Sequence, residues 1–426
     1  IKRPVVVQGH KQIYMIASFV ACSMAGFTYV PIDEEIPKER AKKIIEQVQP
    51  KLIIDETIEK IMEKDNLEDI EKIYLKDEDI YYIIFTSGTT GEPKGVQITY
   101  RNLKSCMLWL EEICKIEQSV VLNQANFSFD LSVADLYLPL LTRSKHYILE
   151  KATLRDYPEL FKELGGSNAE LMVVTPSFVD LLLIDKSFNK YLMPNLKKIL
   201  FCGEKLGEST VSKLFERFEN LEIINYYGPT ECTFAVTCDK VKKGEKISIG
   251  IPKKDVKIFI VDDNLQELKE NEVGEILISG ESVGSGYLKK ELNKDVFIEF
   301  KGEKSYLTGD LGYKSNDKFY CLGRKDKQVK YKGYRVEISE IEAVLGKLEF
   351  IEKAVVVVEF DDDEKANKII AFVKEKEECM KSYKEIKEKL KNYLPDYMIP
   401  VIRIVEQFPL NVNGKVDERK LLEMGK

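Results

Sequence analysis

The feature that most constrains the fold is an alternation of short β-branched runs with amphipathic stretches between Arg3 and Tyr226. Such an alternation predicts βαβ units and a mostly parallel, doubly wound sheet, with ligand loops at the carboxyl ends of the strands. The predicted strands are Val5–Gln8, Leu52–Asp55, Ile80–Phe85, Leu171–Thr175, Lys198–Cys202 and Leu221–Asn225. The predicted helices are Lys11–Ala25, Lys38–Val48, Tyr100–Glu117, Pro176–Leu183 and Glu208–Phe218. We therefore expect an α/β fold.

After Gly250 the pattern changes to shorter strands that are separated by turn residues, which predicts a β-rich subdomain over about 250–323. Its predicted strands are Val256–Asp262, Gly274–Gly280, Gly286–Lys289 and Lys318–Leu322. A separate α+β pattern follows, with helices at Ser339–Leu348 and Lys381–Tyr393 and strands at Ala354–Phe360, Lys368–Lys374 and Val401–Gln407. We expect a large domain over 1–323 and a small C-terminal domain over 324–426.

Composition narrows the class of protein. A chain of 426 residues is too long for one core, since domains average roughly 150 residues. The net charge is −7 with both signs interspersed, so no basic stripe suggests nucleic-acid binding. The eight cysteines contain no C-x-x-C pair and there are only two histidines, which favours reduced cytosolic thiols over disulfides or zinc. A histidine-based acid–base mechanism has little material here.

The segment Tyr14–Ile32 carries no formal charge, which raises the question of a membrane span. Small and polar residues interrupt this segment and Pro31 ends it, so a buried helix that turns into a strand is the better interpretation. No membrane insertion is expected. The chain opens on Ile1 and enters a strand almost at once, so we expect an N-terminal piece to precede it.

The stretch Phe85–Val96 follows a β-branched run and contains hydroxyl residues, glycines and one lysine. Backbone N–H groups, O–H donors and the charge of Lys94 could all face a polyphosphate. The spacing differs from the Gly-x-x-x-x-Gly-Lys-Ser/Thr loop of ordinary NTPases, because Lys94 stands three residues after Gly91. From these residues alone, a surface hairpin loop remains an equal alternative.

Read whole, Thr86–Gly95 (TSGTTGEPKG) closely resembles the nucleotide loop of the acyl-adenylate-forming family. That family includes carrier-protein ligases, amino-acid adenylation domains and acyl-CoA synthetases. The resemblance implies a large domain, a small mobile C-terminal domain and a requirement for ATP and Mg²⁺. It also implies that the loop binds ATP through Thr86, Ser87, Gly88, Thr89, Thr90, Gly91 and Lys94.

Four further stretches resemble the same family in the same order: Asn225–Glu231, Tyr306–Leu311, Gly323–Glu337 and Pro409–Asp417. In the first, a tyrosine ring could stack on a base and a carboxylate could hold Mg²⁺. Each stretch standing alone also has a structural interpretation: a core tyrosine, an Asx turn, a solvated linker and a solvated tail lysine. Agreement of all four in order favours the functional interpretation.

The resemblance gives these motif residues individual roles. In the first motif, Tyr227 packs on adenine, Asn225 approaches the edge of the base, Thr230 meets the α-phosphate and Glu231 binds the metal. Farther along the chain, Asp310 binds the ribose hydroxyls, Arg324 touches the nucleotide, Asp326 is the interdomain hinge and Lys415 is the catalytic lysine. The implied nucleotide site also includes Gly203, Glu204, Tyr226 and Gly228.

Asn126–Val133 places an acid, Asp130, in an apolar setting where an unpaired charge is costly. Its partner is either a ligand ammonium or another cation of the protein. In amino-acid-activating relatives the matching aspartate holds the substrate's α-amino group, which argues against an acyl-CoA synthetase. The positions that match the family's side-chain pocket are Leu131, Ala134, Leu200, Cys202, Tyr226, Phe234 and Ala235. The bulky leucine, tyrosine and phenylalanine residues among them leave little volume, which favours glycine or alanine as substrate.

Motifs around Phe129–Val133, Thr175–Val179, Phe201–Glu204 and Tyr397–Pro400 look most like the D-alanine:D-alanyl carrier protein ligases. In those enzymes a cysteine at the place of Cys202 lies against the substrate's α-carbon, whereas Phe234 replaces a smaller residue. The resemblance implies activation of D-alanine by ATP and transfer to the phosphopantetheine thiol of a carrier protein. The alternatives are a nonribosomal peptide synthetase adenylation domain for another small amino acid, an acid:CoA ligase, and a silent nucleotide-binding module.

Overall fold

The computed structural model describes residues 3–58, 60, 73, 75–88, 92–376, 383–410 and 416–424. Compact groups of residues divide the chain into two units. The first comprises Ile1–Glu34, Ile45–Thr86 and Lys94–Lys325, and the second comprises Glu35–Ile44, Ser87–Pro93 and Asp326–Lys426.

The strands are β1 Val5–Gly9, β2 Tyr29–Asp33, β3 Leu52–Ile54, β4 Ile80–Thr86, β5 Lys94–Thr99, β6 Val120–Asn123, β7 Lys145–Ile148, β8 Leu171–Val174, β9 Lys198–Phe201, β10 Glu222–Tyr227, β11 Thr237–Lys240, β12 Ile251–Pro252, β13 Val256–Val261, β14 Gly274–Gly280, β15 Gly286–Tyr287, β16 Phe297–Phe300, β17 Glu303–Ser315, β18 Lys318–Arg324, β19 Gln328–Tyr331, β20 Tyr334–Glu337, β21 Ile351–Phe360, β22 Ala366–Glu375 and β23 Val401–Ile404. The α-helices are α1 Ile13–Met24, α2 Lys38–Val48, α3 Tyr100–Cys114, α4 Leu131–Thr142, α5 Lys151–Arg155, α6 Tyr157–Gly166, α7 Pro176–Leu183, α8 Glu208–Arg217, α9 Ile338–Gly346, α10 Tyr383–Leu390 and α11 Glu418–Met424.

Two sheets form most of the first unit. The first sheet has the strand order β15-β5-β4-β2-β1-β3, in which β1 to β4 pair in parallel and β5 and β15 are antiparallel additions. The second sheet has the order β12-β11-β10-β9-β8-β6-β7 and is parallel from β10 to β7. The α/β fold predicted from the sequence is therefore confirmed, with two sheets that share the first unit.

One apolar core contains residues of both sheets, including Val7 and Tyr82 from the first and Val121 and Leu200 from the second. Helix α4 lies in this core and is buried over nearly its whole length. The sequence analysis missed this helix, because a helix that is apolar on every face has no amphipathic period to detect. Its position fixes the residue that precedes it, Asp130.

A third, antiparallel sheet orders its strands β13-β14-β17-β16, with β18 paired to β17. This is the β-rich region that the sequence predicts after Gly250, but the predicted strand Gly286–Lys289 instead forms β15 of the first sheet, where it pairs with β5. Asp310 lies inside the long strand β17, so the Asx turn that was the structural alternative for its motif is not what the structure shows. The register places Asp310 opposite Arg324 of β18, which explains why these two distant motif residues meet.

The second unit has its own core, built around helix α9 and the sheet β21-β22-β23. The hairpin β19–β20 precedes the helix, and the rings of Tyr334 and Tyr397 stack with centroids 3.7 Å apart. A buried ion pair joins Arg40 to Glu340 at the start of the helix.

Gly250 and Gly244 allow a test of backbone strain in the first unit. Both have positive φ, +85° and +79° respectively, but a Cβ added at Gly250 would lie 1.9 Å from the Cys238 carbonyl oxygen, whereas one at Gly244 would meet open space. Positive φ costs an alanine roughly 1–2 kcal/mol, and overlap with fixed backbone adds about 1–3 kcal/mol more. We expect Gly250→Ala to lower the thermal unfolding midpoint clearly more than Gly244→Ala in a calorimetric scan. Equal shifts would contradict the close approach of Gly250 to strand β11.

Candidate active site

The predicted site residues of the first unit lie where parallel strands of the second sheet end. Cys202 directly follows β9, Tyr227 is the last residue of β10, and Asp130 lies in the connection from β6 to helix α4. Carboxyl ends of parallel strands lie at one edge of a sheet, which is where open α/β folds bind ligands. The topology therefore brings these three motifs to one edge.

A hydrogen bond joins two motifs that lie far apart in sequence. The Thr230 hydroxyl donates to Oδ2 of Asp130 over 2.7 Å. Asp130 occupies the N-cap position of helix α4, yet its side chain makes no capping bond. The positive end of a helix dipole favours a carboxylate at this place. The predicted amine-binding acid and the predicted α-phosphate ligand are thus direct neighbours.

The residues predicted to form the side-chain pocket belong to the apolar core of the first unit. All seven are buried: Leu131, Ala134, Leu200, Cys202, Tyr226, Phe234 and Ala235. The Cys202 sulfur lies 4.0 Å from the carbonyl oxygen of Phe234, and the rings of Tyr226 and Phe234 have centroids 6.2 Å apart. Large side chains therefore occupy much of the space in which a substrate side chain would lie.

The pocket depends on a sharp reversal of the chain after β10. Thr233 and Phe234 both have positive φ, +62° and +67°. A Cβ at Gly228 would lie 2.7 Å from the Cα of Ala235, so only glycine lets the returning chain approach so closely. This turn brings Phe234 and Ala235 back to the end of β10.

A second cluster is built on Asp310. The Tyr227 hydroxyl donates to Oδ2 of Asp310 over 2.6 Å, and Nη1 of Arg324 lies 3.1 Å from Oδ1. Arg324 also donates to the carbonyl oxygen of Thr308 over 2.6 Å. Burial, followed by the Asp310 charge, raises the pKa of Tyr227 well above its usual range, so the hydroxyl stays a donor. Tyr227, Asp310 and Arg324, which the resemblance assigns to the adenine, the ribose and the nucleotide, thus form one network of hydrogen bonds.

Asn225 is anchored by residues that the sequence analysis did not single out. Its amide donates to the carbonyl oxygen of Ser248 over 2.8 Å. The Ser248 hydroxyl donates to Asp239 over 2.5 Å, and Lys318 lies 2.9 Å from both oxygens of that carboxylate. No motif marks these partners, because they lie on strands and loops that only the fold brings together.

Two more residues predicted for the nucleotide site, Gly203 and Glu204, follow strand β9. The Glu204 carboxylate accepts a hydrogen bond from the backbone N–H of Ser177 over 2.9 Å, and Gly203 has a φ of +92°.

Glu231 is completely buried and accepts a 2.6 Å hydrogen bond from the hydroxyl of Tyr287 on its Oε1. The Lys94 ammonium lies 5.8 Å from the centroid of the Tyr287 ring. The described part of the chain contains no group of three or more acidic, histidine or cysteine side chains arranged to hold a metal ion. Mg²⁺ in nucleotide sites is usually held by one or two carboxylates plus the phosphates, so a single hard oxygen donor at Glu231 fits that ion.

In the described part of the phosphate loop, Ser87 and Gly88 donate hydrogen bonds to protein acceptors, whereas the Thr86 hydroxyl does not. The Thr86 hydroxyl is buried without a hydrogen-bond partner among the described residues. In the second unit, the Ser87 hydroxyl donates to the carbonyl oxygen of Arg335 over 2.8 Å, and the Gly88 N–H donates to Oε2 of Glu340 over 3.3 Å. Two predicted phosphate donors thus already bind acceptors. Thr89, Thr90, Gly91 and Lys415 lie outside the described residues.

The predicted hinge residue, Asp326, begins the last segment of the second unit. Its Oδ1 accepts a hydrogen bond from the backbone N–H of Gln328 over 3.0 Å, which forms a local turn. The role of Asp326 as a hinge stays a prediction.

No helix in the described parts of the chain combines the length and the apolar character that a membrane span needs.

Comparisons with known proteins identify the family of this chain. Residues 2–288 match the family described as AMP-binding enzyme, and residues 340–415 match its C-terminal domain. A D-alanine–D-alanyl carrier protein ligase of Listeria innocua is 38% identical, covering 99% of this chain and 88% of that protein. The ligase of the same name from Bacillus licheniformis is 37% identical, covering 99% of this chain and 89% of that protein.

Solved structures show the same fold. The Vibrio cholerae adenylation domain AlmE, solved in complex with glycyl-adenosine-5'-phosphate, superposes with a TM-score of 0.87 at 22% identity and covers 100% of this chain and 89% of its own. The amide bond synthetase McbA of Marinactinospora thermotolerans gives a TM-score of 0.88 at 20% identity, covering 100% and 91%. The resemblance that the motifs predict is confirmed. Since the family match spans most of the chain, the protein belongs to the AMP-binding enzyme family.

Proposed function

We propose that this protein activates D-alanine with ATP and transfers the D-alanyl group to the phosphopantetheine thiol of a carrier protein. The full-length relatives that bear this activity in their names support the proposal. The single observation that carries it is the 2.7 Å hydrogen bond between Thr230 and Asp130, because it joins an amine-binding acid to a phosphate-binding hydroxyl. The cysteine usage leads us to assign the reaction to the cytoplasm. As the resemblance implies, the D-alanine loaded on the carrier protein would serve the esterification of teichoic acid in the cell wall.

In the first half-reaction, a carboxylate oxygen of D-alanine attacks the α-phosphorus of ATP and pyrophosphate leaves. Asp130 binds the substrate ammonium, so its carboxylate exchanges the Thr230 hydroxyl for a charged partner. Thr230 is then released toward the α-phosphate. The small volume that Phe234 and Tyr226 leave selects a methyl side chain.

The nucleotide is held by the networks around Asp310 and Asn225. Tyr227 supplies a ring for the adenine, and Asp310 accepts from the ribose hydroxyls, with Arg324 as its charged partner. Glu231 would hold Mg²⁺, which neutralises phosphate charge when it is bound. Lys415 would bridge the incoming carboxylate and the α-phosphate and offset their repulsion.

In the second half-reaction, the carrier thiol loses its proton to solvent and its sulfur attacks the carbonyl carbon of the adenylate. The C–S bond of the thioester forms, the bond between the carbonyl carbon and the phosphate oxygen breaks, and AMP leaves with that electron pair. We propose a large domain over 1–323 and a small domain over 324–426, with Asp326 as the hinge that permits the two half-reactions to use different arrangements.

Pyrophosphate exchange with a panel of amino acids tests the substrate. We expect D-alanine to support exchange with the highest kcat/KM, at least about tenfold above glycine, because one methyl group in a fitted pocket is worth roughly 10–200-fold. L-Alanine and serine serve as the stereochemical and polar comparisons. Preference for another small amino acid would favour a peptide synthetase adenylation domain, and CoA thioester formation from a plain carboxylic acid would favour an acid:CoA ligase.

Asp130→Asn tests the amine-binding acid. Asp130 is half-buried, and loss of its negative charge should raise the KM for D-alanine and lower exchange by about 10²-fold, the scale expected when one partner of a hydrogen-bonded charge pair is truncated. Binding of ATP alone, measured by calorimetry, should change little. Asp317→Asn is the matched control, since that side chain is 91% exposed and should leave exchange unaltered. A variant Asp130→Asn with wild-type KM would contradict the assignment.

Lys415→Ala tests the adenylation lysine. Removing a cation that stabilises the transition state should lower D-alanine-dependent exchange by about 10²–10³-fold. Transfer from separately supplied D-alanyl-adenylate to the carrier protein should persist, because that step forms no new bond to phosphorus. Lys420→Ala provides a neighbouring lysine control. Exchange that survives in Lys415→Ala would refute the role.

A further inference from the structure

We propose that Tyr287 is a positioning residue that aligns Glu231 for Mg²⁺ and Lys94 for the phosphates of ATP. The inference rests on the proposed function, because it takes Glu231 as the metal-binding carboxylate. Neither the motifs nor the predicted pocket includes Tyr287. Its case rests on the contacts of its hydroxyl, its ring and its backbone.

The hydroxyl of Tyr287 provides the first contact. It donates to Oε1 of Glu231 over 2.6 Å, and the two side chains are 3% and 0% exposed. Hydrogen bonds to an ionised carboxylate are short and roughly twice as strong as neutral ones. In so buried a place, this bond fixes the rotation of the carboxylate, and a carboxylate oxygen held in one orientation is suited to a magnesium ion.

The ring of Tyr287 provides the second contact. The Lys94 ammonium lies 5.8 Å from its centroid, within the range of a cation–π interaction. Phe297 packs edge-on against the other side of the ring, with centroids 5.3 Å apart. One side chain therefore sets the spacing between the carboxylate and the lysine that the resemblance assigns to the nucleotide.

The backbone around Tyr287 reinforces this spacing. Strand β15 pairs with β5, the strand that begins at Lys94, and the Leu288 N–H donates to the carbonyl oxygen of Gly95 over 2.8 Å. On the other side, the Gly284 N–H donates to the carbonyl oxygen of Glu231 over 2.8 Å. Segment 284–288 thus bridges the strand of the phosphate loop to the turn that carries Glu231.

Asn293 holds this bridge in its conformation. Its Oδ1 accepts from the backbone N–H of Tyr287 over 2.7 Å. Gly286 has a φ of +107°, and a Cβ at that position would lie 2.9 Å from the Asn293 amide, so the segment is closely fitted. A tyrosine that served only to fill the core would not need a charged partner for its hydroxyl. Its backbone would also not need to be held by Asn293.

Nucleotide binding without turnover provides the test. Calorimetric titration with α,β-methylene-ATP, in excess Mg²⁺ and in EDTA, gives the factor by which Mg²⁺ strengthens binding. Tyr287→Phe keeps the ring and removes the hydroxyl, so we expect this factor to fall about tenfold or more, as for loss of a hydrogen bond to a charged group. The affinity in EDTA should stay within about twofold of wild type. Glu231→Gln should show the same pattern.

Tyr137→Phe is the matched control. Its hydroxyl is also buried and donates to Tyr29 over 2.7 Å, so the chemical change is identical but lies outside the site. This variant should keep the wild-type Mg²⁺ factor. If Tyr287→Phe is too unstable for titration, Asn293→Ala is titrated in its place. The factor by which Mg²⁺ strengthens binding should then fall by the same amount.

Two results would overturn the inference: an unchanged Mg²⁺ factor in Tyr287→Phe, or an equal loss of affinity with and without Mg²⁺, which indicates a packing role. Failure of the proposed function gives a different result, because the wild-type protein would then show no D-alanine-dependent pyrophosphate exchange. The two ideas can therefore fail separately.

Discussion

The burial of helix α4 between the two sheets is the constraint on which the site depends. A helix that is apolar on nearly every face is stable only where protein surrounds it. The two sheets supply those surroundings, and their shared core fixes where the helix begins. Asp130 stands at that beginning and meets Thr230, which follows strand β10. A change that loosened the core would therefore displace both Asp130 and the pocket residues that belong to the core.

The carboxylates of the first unit follow a common design. Asp130 accepts from Thr230, Glu231 accepts from Tyr287, and Asp310 accepts from Tyr227 while Arg324 supplies a charge. A hydroxyl satisfies a carboxylate oxygen without neutralising it. In the proposed function, each of these side chains is therefore already oriented when the ammonium, the metal ion or the ribose hydroxyls bind. Such preorganisation lowers the cost of charge rearrangement in the transition state.

Much of the fold and of the candidate site was predictable from the sequence, because the signals for them are local. The βαβ pattern gave strands such as Leu171–Thr175 within a residue of the observed Leu171–Val174, and the phosphate loop and Asn225–Glu231 motifs identified the family. What escaped prediction depends on tertiary neighbours. Helix α4 has no polar face to give it a period. Tyr287 and Ser248 lie in no motif and acquire their contacts only when β15 joins the first sheet and β11 joins the second.

The second unit extends the same logic to the phosphate loop. A backbone N–H in a glycine-rich loop is suited to bind an anion, and here the Gly88 N–H binds the carboxylate of Glu340, which Arg40 neutralises within the same unit. A carboxylate at this N–H offers the same hydrogen-bond chemistry as a phosphate oxygen. In the proposed function, a nucleotide phosphate at the Gly88 N–H would therefore take the place that the Glu340 carboxylate holds in this structure.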